Sequence, residues 1–336
     1  MTTKVSSIFR KIVHKETLNG LFLCTHERHN ELFKHLPYNF YMWQGQEHIR
    51  NWNTKFSPIP YNIHVLPFGL LPQHTDLDFI LSQTPDTNFP ICKHVSNQLD
   101  IPLINFWHTF PSPSMPKIQL RRLYQTFSQY INMFITEENR EAWGFKNHDQ
   151  SFVIKHAIDI DYWKADSQTQ RKPLLLSVAN DFINRNHLLG FDLWTKIVEF
   201  QNPQQQLPVF VVGNTPGLSR EANSQDEMLQ YYQGAQIFLN TSLISPLPMV
   251  ILEAMACECA VISTNTGMIP RIIQNGYNGI LCEPNPQTMR QTCIELLQNP
   301  SRCSELGKRA RETVSKMFPI SEFVQSWNKI IKQVIG

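Results

Sequence analysis

Ser245-Pro-Leu-Pro-Met-Val-Ile-Leu-Glu253-Ala-Met-Ala-Cys-Glu-Cys-Ala-Val-Ile-Ser-Thr-Asn-Thr-Gly267 is the stretch on which the reading of this chain turns. Pro248 suits a first helical turn, because its missing N–H would have no partner there and its φ is already helical. The pattern predicts a helix over Met249 to Cys257 and then a strand over Ala260 to Thr264. That helix is apolar on every side with Glu253 as its only charge, so it must be buried.

Outward from this segment the same alternation continues. Strands are expected at Leu174 to Asn180, Pro208 to Asn214 and Gln236 to Ser242, and helices at Phe191 to Phe200 and Glu227 to Gln233. Helical patterns then fill Pro286 to Gln298, Cys303 to Met317 and Ser321 to Val334. In the first half, strands are expected at Gly20 to Thr25, Asn39 to Trp43, Asn62 to Pro67, Asp78 to Ser82, Leu103 to Trp107, Met133 to Thr136 and Ser151 to Lys155. The rhythm is that of βα units around parallel sheets, an α/β class. A chain of 336 residues suits two such domains. The polar passage Asp159 to Pro173 is where they would meet, giving domains over 1–165 and 166–320 and a last helix over 321–336 that packs back on the first.

Composition narrows the function classes. Hydrophobic residues make up 42% and charged residues 17%, which suits a chain folded nearly throughout. A net charge of +2 gives no general field for nucleic acid. Arg121-Arg122 and Lys308-Arg309-Ala310-Arg311 read as solvated faces, with weak attraction to anionic lipid headgroups as the alternative. The seven cysteines are scattered and lack zinc spacing, so they read as reduced core thiols of a cytoplasmic protein. Met1 to Lys15 is unlike a signal peptide and no stretch of about twenty apolar residues follows, so the expected membrane contact is at most peripheral, at an inner face.

In open parallel sheets ligands bind beyond the carboxyl ends of strands. Glu253 would there accept hydroxyl hydrogens from a sugar or ribose, or else be a structural carboxylate paired with a cation. The amides of Leu247, Met249 and Val250, at the positive end of the helix, suit a diphosphate. Asn180 to Gly190 carries Arg185 and His187, which clamp phosphates or are simply solvated. Gly213-Asn214 ends another strand in a turn that lets a ligand approach the backbone. In the first half, Thr25-His26-Glu27-Arg28-His29 and Trp107-His108-Thr109 close two strands, as structural hydrogen-bonders or as functional groups of one cleft. Asp159-Ile-Asp161 resembles a metal motif, but its place in the interdomain passage argues against that role. Cys24 to His29 holds no glycine, which argues against a dinucleotide oxidoreductase.

With these residues in hand, the second half resembles retaining glycosyltransferases of the GT-B fold, especially family 4 (group 1). The resemblance covers about Leu174 to Phe318. It is carried by Tyr-Tyr-Gln-Gly-Ala-Gln-Ile-Phe-Leu-Asn-Thr-Ser at 231 to 242, Val-Ile-Leu-Glu-Ala-Met-Ala-Cys at 250 to 257, Ala-Val-Ile-Ser-Thr-Asn-Thr-Gly-Met-Ile-Pro at 260 to 270, and Asn-Gly-Tyr-Asn-Gly-Ile-Leu-Cys-Glu-Pro at 275 to 284. Trp107-His108-Thr109, Ile-Thr-Glu-Glu at 135 to 138 and His156-Ala-Ile-Asp159 follow in the family's order. The resemblance implies two Rossmann-like domains facing across a cleft, the second holding a UDP- or GDP-linked sugar and the first an acceptor that is a glycan, lipid or protein. It implies no metal and no separate cofactor.

In that family the position of Glu253 contacts the ribose, and an acid eight residues earlier contacts the donor sugar. Ser245 stands at that earlier position, Pro248 replaces a glycine, and Asn180 and Leu189 replace a basic pair. The expected catalytic residues are His108, Glu253 and Arg185. The donor side would add Asn180, His187, Gly213, Asn214, Ser245, Leu247, Met249 and Val250, and the acceptor side His26, Glu27, Arg28 and His108. Two other readings stand beside transfer: a silent nucleotide-sugar-binding or partner subunit, and a sugar-nucleotide epimerase, for which too few acid and base groups lie near Ser245.

Overall fold

The computed structural model describes residues 17–47, 49–71, 75–199 and 206–335. The reading of Met1 to Lys15 therefore falls outside the described residues, as does Phe200 at the end of an expected helix.

The first part of the chain runs β1 (Leu18–Leu23), α1 (Glu27–Asn30), a 3-10 turn (Glu31–His35), β2 (Tyr38–Gln44), β3 (Ile63–Pro67) and β4 (Phe79–Gln83). It continues with α2 (Pro85–Leu99), β5 (Leu103–Trp107), α3 (Lys117–Phe127), β6 (Ile131–Phe134), α4 (Glu137–Ala142) and β7 (Ser151–Val153). These strands form a seven-stranded sheet in the order β3-β2-β1-β4-β5-β6-β7. β4 and β5 are buried at every position, the pattern of strands covered on both faces.

The second part begins with β8 (Lys172–Val178), α5 (Asn186–Leu189), α6 (Phe191–Val198), β9 (Val209–Val212), α7 (Gln225–Gly234) and β10 (Ala235–Asn240). Then come α8 (Met249–Ala256), β11 (Ala260–Thr264), α9 (Ile269–Ile272), β12 (Ile280–Cys282), α10 (Pro286–Leu297), α11 (Pro300–Met317) and α12 (Ile320–Ile335). Its sheet has five parallel strands in the order β12-β11-β10-β8-β9. Leu175, Ile237, Ile262, Trp194, Met289 and Leu306 belong to the core that helices build on this sheet.

By contacts the chain divides into two units. One comprises the described residues of Met1–Trp52, Ile59–Phe106 and Ile331–Gly336, and the other Asn53–Pro58 and Trp107–Ile330.

Several boundaries differ from the sequence reading for local reasons. The strand expected to reach Thr136 stops at Phe134, because Thr136 Oγ1 accepts the Asn139 amide at 3.0 Å and so caps α4. The helix expected from Cys303 starts at Pro300, where Asn299 Oδ1 accepts the Arg302 amide at 3.0 Å. Short β12 was not anticipated, since three residues give too little periodicity to read. Asp159 turns the chain: its Oδ1 accepts the amides of Asp161 at 3.2 Å and Tyr162 at 3.1 Å.

All seven cysteines are free and buried, and burial pushes the Cys92 and Cys293 thiols up to about 12. Among the described residues no helix is long and apolar enough to cross a membrane.

Candidate functional site

β8, β9, β10 and β11 run parallel, so the loops that follow them emerge at one edge of the second sheet. Gly213 follows β9 with φ 152°, and a β-carbon there would overlap the Ala179 carbonyl oxygen. Only glycine lets these two strand ends come so close. Beside it, Asn214 Oδ1 accepts the Asp181 amide at 2.6 Å and Thr215 Oγ1 the Phe182 amide at 2.9 Å. Arg185 Nη1 donates to the Asn180 carbonyl at 3.4 Å. Asn180, Arg185, Gly213 and Asn214 are thus brought together, with the Asn180, Arg185 and Asn214 side chains exposed.

The exposed His187 lies in α5, and its neighbour Leu188 ties this loop to the one after β10. The Leu188 carbonyl accepts the amides of Leu243 at 2.7 Å and Ile244 at 3.1 Å. The loop after β11 joins the same edge. Thr266 Oγ1 accepts the Ser245 amide at 3.2 Å and donates to the Leu243 carbonyl at 3.0 Å. Met268 N–H donates to the Pro246 carbonyl at 2.9 Å. Between them Gly267 has φ 51°, and a β-carbon on it would overlap the carbonyl oxygens of Ser245 and Pro246.

Pro248 stands one position earlier than expected. With ψ 117° it is the N-cap and makes no side-chain capping bond, so α8 proper starts at Met249. Its carbonyl accepts the Ile251 amide at 3.1 Å. Leu247 is buried, while Met249 and Val250 are half-buried at the mouth of the helix. First-turn amides have no partner within their own helix and lie at its positive end, where a phosphate is favoured.

Glu253 is 2% exposed, and Tyr232 Oη donates to its Oε2 at 2.9 Å. A hydroxyl therefore holds one of its carboxylate oxygens. Tyr232 is itself buried in α7, edge-on to Trp163 with ring centroids 5.8 Å apart, so the phenol fixes the carboxylate's orientation. At the other end of α8, Arg171 Nη2 donates to the Cys257 carbonyl and Arg311 Nη1 to the Ala256 carbonyl at 2.6 Å. Cations suit a helix C-terminus. Tyr232, Thr266 and Arg171 were not singled out from the sequence, and Arg311, read there as part of a solvated face, is half-buried with its guanidinium on the carbonyls of Ile160, Trp163 and Ala256. Tyr232 lies in the quoted Tyr-Tyr-Gln-Gly run, but its spacing of 21 residues from Glu253 gives no periodic signal.

His26, Glu27 and Arg28 lie in the first unit. His26 Nδ1 accepts the Arg28 amide at 3.3 Å and caps α1, Glu27 is buried, and Arg28 approaches Glu31 at 3.6 Å. His108, in the second unit, stacks on His156 with centroids 5.7 Å apart and planes 7° from parallel. Burial pushes His156 down to about 4, so it is neutral at physiological pH.

A pH dependence follows. The unfolded histidine takes up its proton near pH 6.5 and the folded one only near 4. Stability contributed by neutral His156 is therefore complete above about 6.5 and lost as pH falls toward 4, by about 3 kcal/mol at most. Urea denaturation of the wild type and His156→Gln at pH 7.5 and 4.5 checks this: the variant should lose less stability on acidification, and equal losses would refute it.

The two parallel sheets make the fold that of the GT-B glycosyltransferases. Anabaena Alr3699/HepE, solved with UDP, matches with a TM-score of 0.72 at 14% identity, over 94% of this chain and 100% of that one. Sucrose-phosphate synthase of Thermosynechococcus elongatus matches with a TM-score of 0.71 at 12% identity, over 94% of this chain and 98% of that one. Residues 218–313 match the family Glycosyl transferases group 1, which the chain resembles.

Among curated relatives, N-acetyl-alpha-D-glucosaminyl L-malate synthase of Bacillus anthracis is 33% identical over 112 residues, 33% of this chain and 29% of that protein. A probable sucrose-phosphate synthase of Thermosipho melanesiensis is 34% identical over 219 residues, 56% of this chain. The match spans 51% of that relative's length.

Proposed function

We propose that this chain is a glycosyltransferase that moves a hexosyl unit from a UDP- or GDP-linked sugar to an acceptor hydroxyl with retention of anomeric configuration. The observation that carries the reading is the single knitted edge of the second sheet, where the loops holding Asn180, Arg185, Gly213 and Ser245 meet the start of the helix that carries buried Glu253. Glu253 takes the ribose hydroxyls. The amides of Leu247, Met249 and Val250, with Arg185 and His187, take the diphosphate. Asn214 and Gly213 line the nucleoside side, and Ser245 bonds a sugar hydroxyl. The acceptor oxygen bonds the anomeric carbon as the bond to the β-phosphate oxygen breaks, and the acceptor proton leaves with the nucleoside diphosphate. His108 positions the reacting sugar, and His26, Glu27 and Arg28 serve the acceptor.

This reading takes residues 1–165 and 166–320 as the two Rossmann-like domains, with 321–336 returning to the first. It needs no metal and no cofactor beyond the donor, and it is a cytoplasmic activity with at most peripheral membrane contact. UDP in the HepE structure and the sugar-transferring names of the relatives support it.

A second reading, a silent sugar-nucleotide-binding subunit, is favoured by Ser245 in place of the family's first acid. Release of nucleoside diphosphate from a panel of nucleotide sugars, without and with acceptors, decides between them. Slow release from one donor is expected. Binding without any release would leave the silent subunit.

A further inference from the structure

The sequence holds two basic clusters, and the structure tells them apart. In Lys308-Arg309-Ala310-Arg311, Arg309 Nη2 meets Glu305 Oε1 at 2.6 Å and its guanidinium lies over the Tyr277 ring at 4.6 Å. Arg311 is spent on backbone carbonyls. Lys308 alone of these three cations is exposed.

Arg121 and Arg122 are placed differently. They lie in α3, whose other side is anchored to the fold. Phe127 is 2% exposed and packs edge-on against Trp107 with ring centroids 4.8 Å apart, and Tyr124 lies against Phe145, also at 4.8 Å. Asn132 Nδ2 donates to the Phe127 carbonyl at 2.8 Å and fixes the end of the helix. With Leu120, Leu123, Tyr124 and Phe127 turned toward the protein, Lys117, Ile118, Arg121 and Arg122 share the outer face, and all four are exposed. Ile118 stands 58% exposed among the three cations. No acid meets these cations among the described residues. The chain holds no Asp or Glu anywhere from Ile101 to Thr136.

A face whose only task is to be solvated mixes charges of both signs, and like charges one helical turn apart repel. Cations of one sign around a large aliphatic side chain match an anionic lipid surface, which offers phosphates to the cations and an apolar layer just beneath them to Ile118. Nucleic acid would suit the cations but not Ile118, and a net charge of +2 gives no wider field to hold it. One helix of 11 residues is also a small area for a folded protein partner, whereas a fluid surface asks for no shape.

We infer that the outer face of α3 docks on an anionic membrane, with Lys117, Arg121 and Arg122 on headgroup phosphates and Ile118 among the upper acyl carbons. Three cations and one aliphatic side chain make a reversible contact that salt weakens. This gives a place to the peripheral contact of the transfer reading. Transfer at a membrane surface would rest on that reading; the docking itself does not.

Co-sedimentation of the full chain with vesicles of phosphatidylcholine alone, or with about one-third phosphatidylglycerol, tests the inference, with UDP titrated in the same samples. The chain should bind the anionic vesicles, bind the neutral ones far more weakly, and leave the anionic ones at about 1 M salt, where charges are screened beyond about 3 Å. Arg121→Gln with Arg122→Gln should weaken anionic-vesicle binding by about thirtyfold, and Ile118→Ser by about fivefold or more. Both should keep the wild-type circular dichroism spectrum and UDP affinity. Lys308→Gln with Arg309→Gln, in the cluster already paired, should bind vesicles like wild type. No binding to anionic vesicles, equal binding to neutral ones, equal binding by the Arg121→Gln, Arg122→Gln chain, or a preference for single-stranded RNA over vesicles would each overturn it. Vesicle binding without UDP binding would count against the transfer reading and leave this surface standing.

Discussion

If Glu253 takes the ribose as proposed, alanine in its place should weaken UDP binding by about a hundredfold or more, because two ribose hydroxyls would lose a charged acceptor worth about 1.5–3 kcal/mol each. The same change strips Tyr232 Oη of the carboxylate it meets at 2.9 Å, in a site where Glu253 is only 2% exposed. The lost hydrogen bond and a small cavity together cost about 2–4 kcal/mol of stability. Stability and affinity must therefore be read separately. Glu253→Gln separates them, since its amide oxygen can still accept from Tyr232 while its charge is gone. It should hold its urea midpoint near that of wild type and still bind UDP about tenfold more weakly or worse. Wild-type affinity in a folded Glu253→Gln would make the carboxylate structural.

Gly267→Ala should cost about 3 kcal/mol or more of stability and disturb donor binding as well. The added carbon would collide with the carbonyl oxygens of both Ser245 and Pro246, and φ 51° is strained for any β-carbon. Gly217 provides the control. Its φ is 73°, but a β-carbon there meets nothing within 4 Å, so Gly217→Ala should cost only the conformational strain of about 1–2 kcal/mol. Urea denaturation of both variants measures the difference, and equal costs would mean that the loops after β10 and β11 are not pressed together at Gly267.

The second half was the more legible part. Met249–Ala256 and Ala260–Thr264 lie within a residue of their expected limits, since an all-apolar helix and an all-apolar strand have no other place than the core. Where the reading slipped, a side chain set the boundary. Thr136 ends a strand by capping the next helix, and Pro248 precedes its helix instead of opening it. The candidate site was legible at glycines and at Glu253, whose types are conspicuous in sequence. What escaped were partners distant in sequence: Tyr232 on Glu253, Thr266 beneath Ser245, Arg171 and Arg311 on the end of α8, and Glu138 with Arg271. Such pairings are products of the sheet order β12-β11-β10-β8-β9, which no local pattern encodes. His26, conspicuous in sequence, also takes a local part, its nitrogen capping the helix beside it.

A crystal of the full chain soaked with UDP tests the central claim most directly. The account predicts the diphosphate against the amides of Met249 and Val250, a ribose hydroxyl donating to Glu253, and the base near Gly213 and Asn214. UDP seated anywhere else, or a Glu253 carboxylate that touches Tyr232 and no part of the nucleotide, would contradict it.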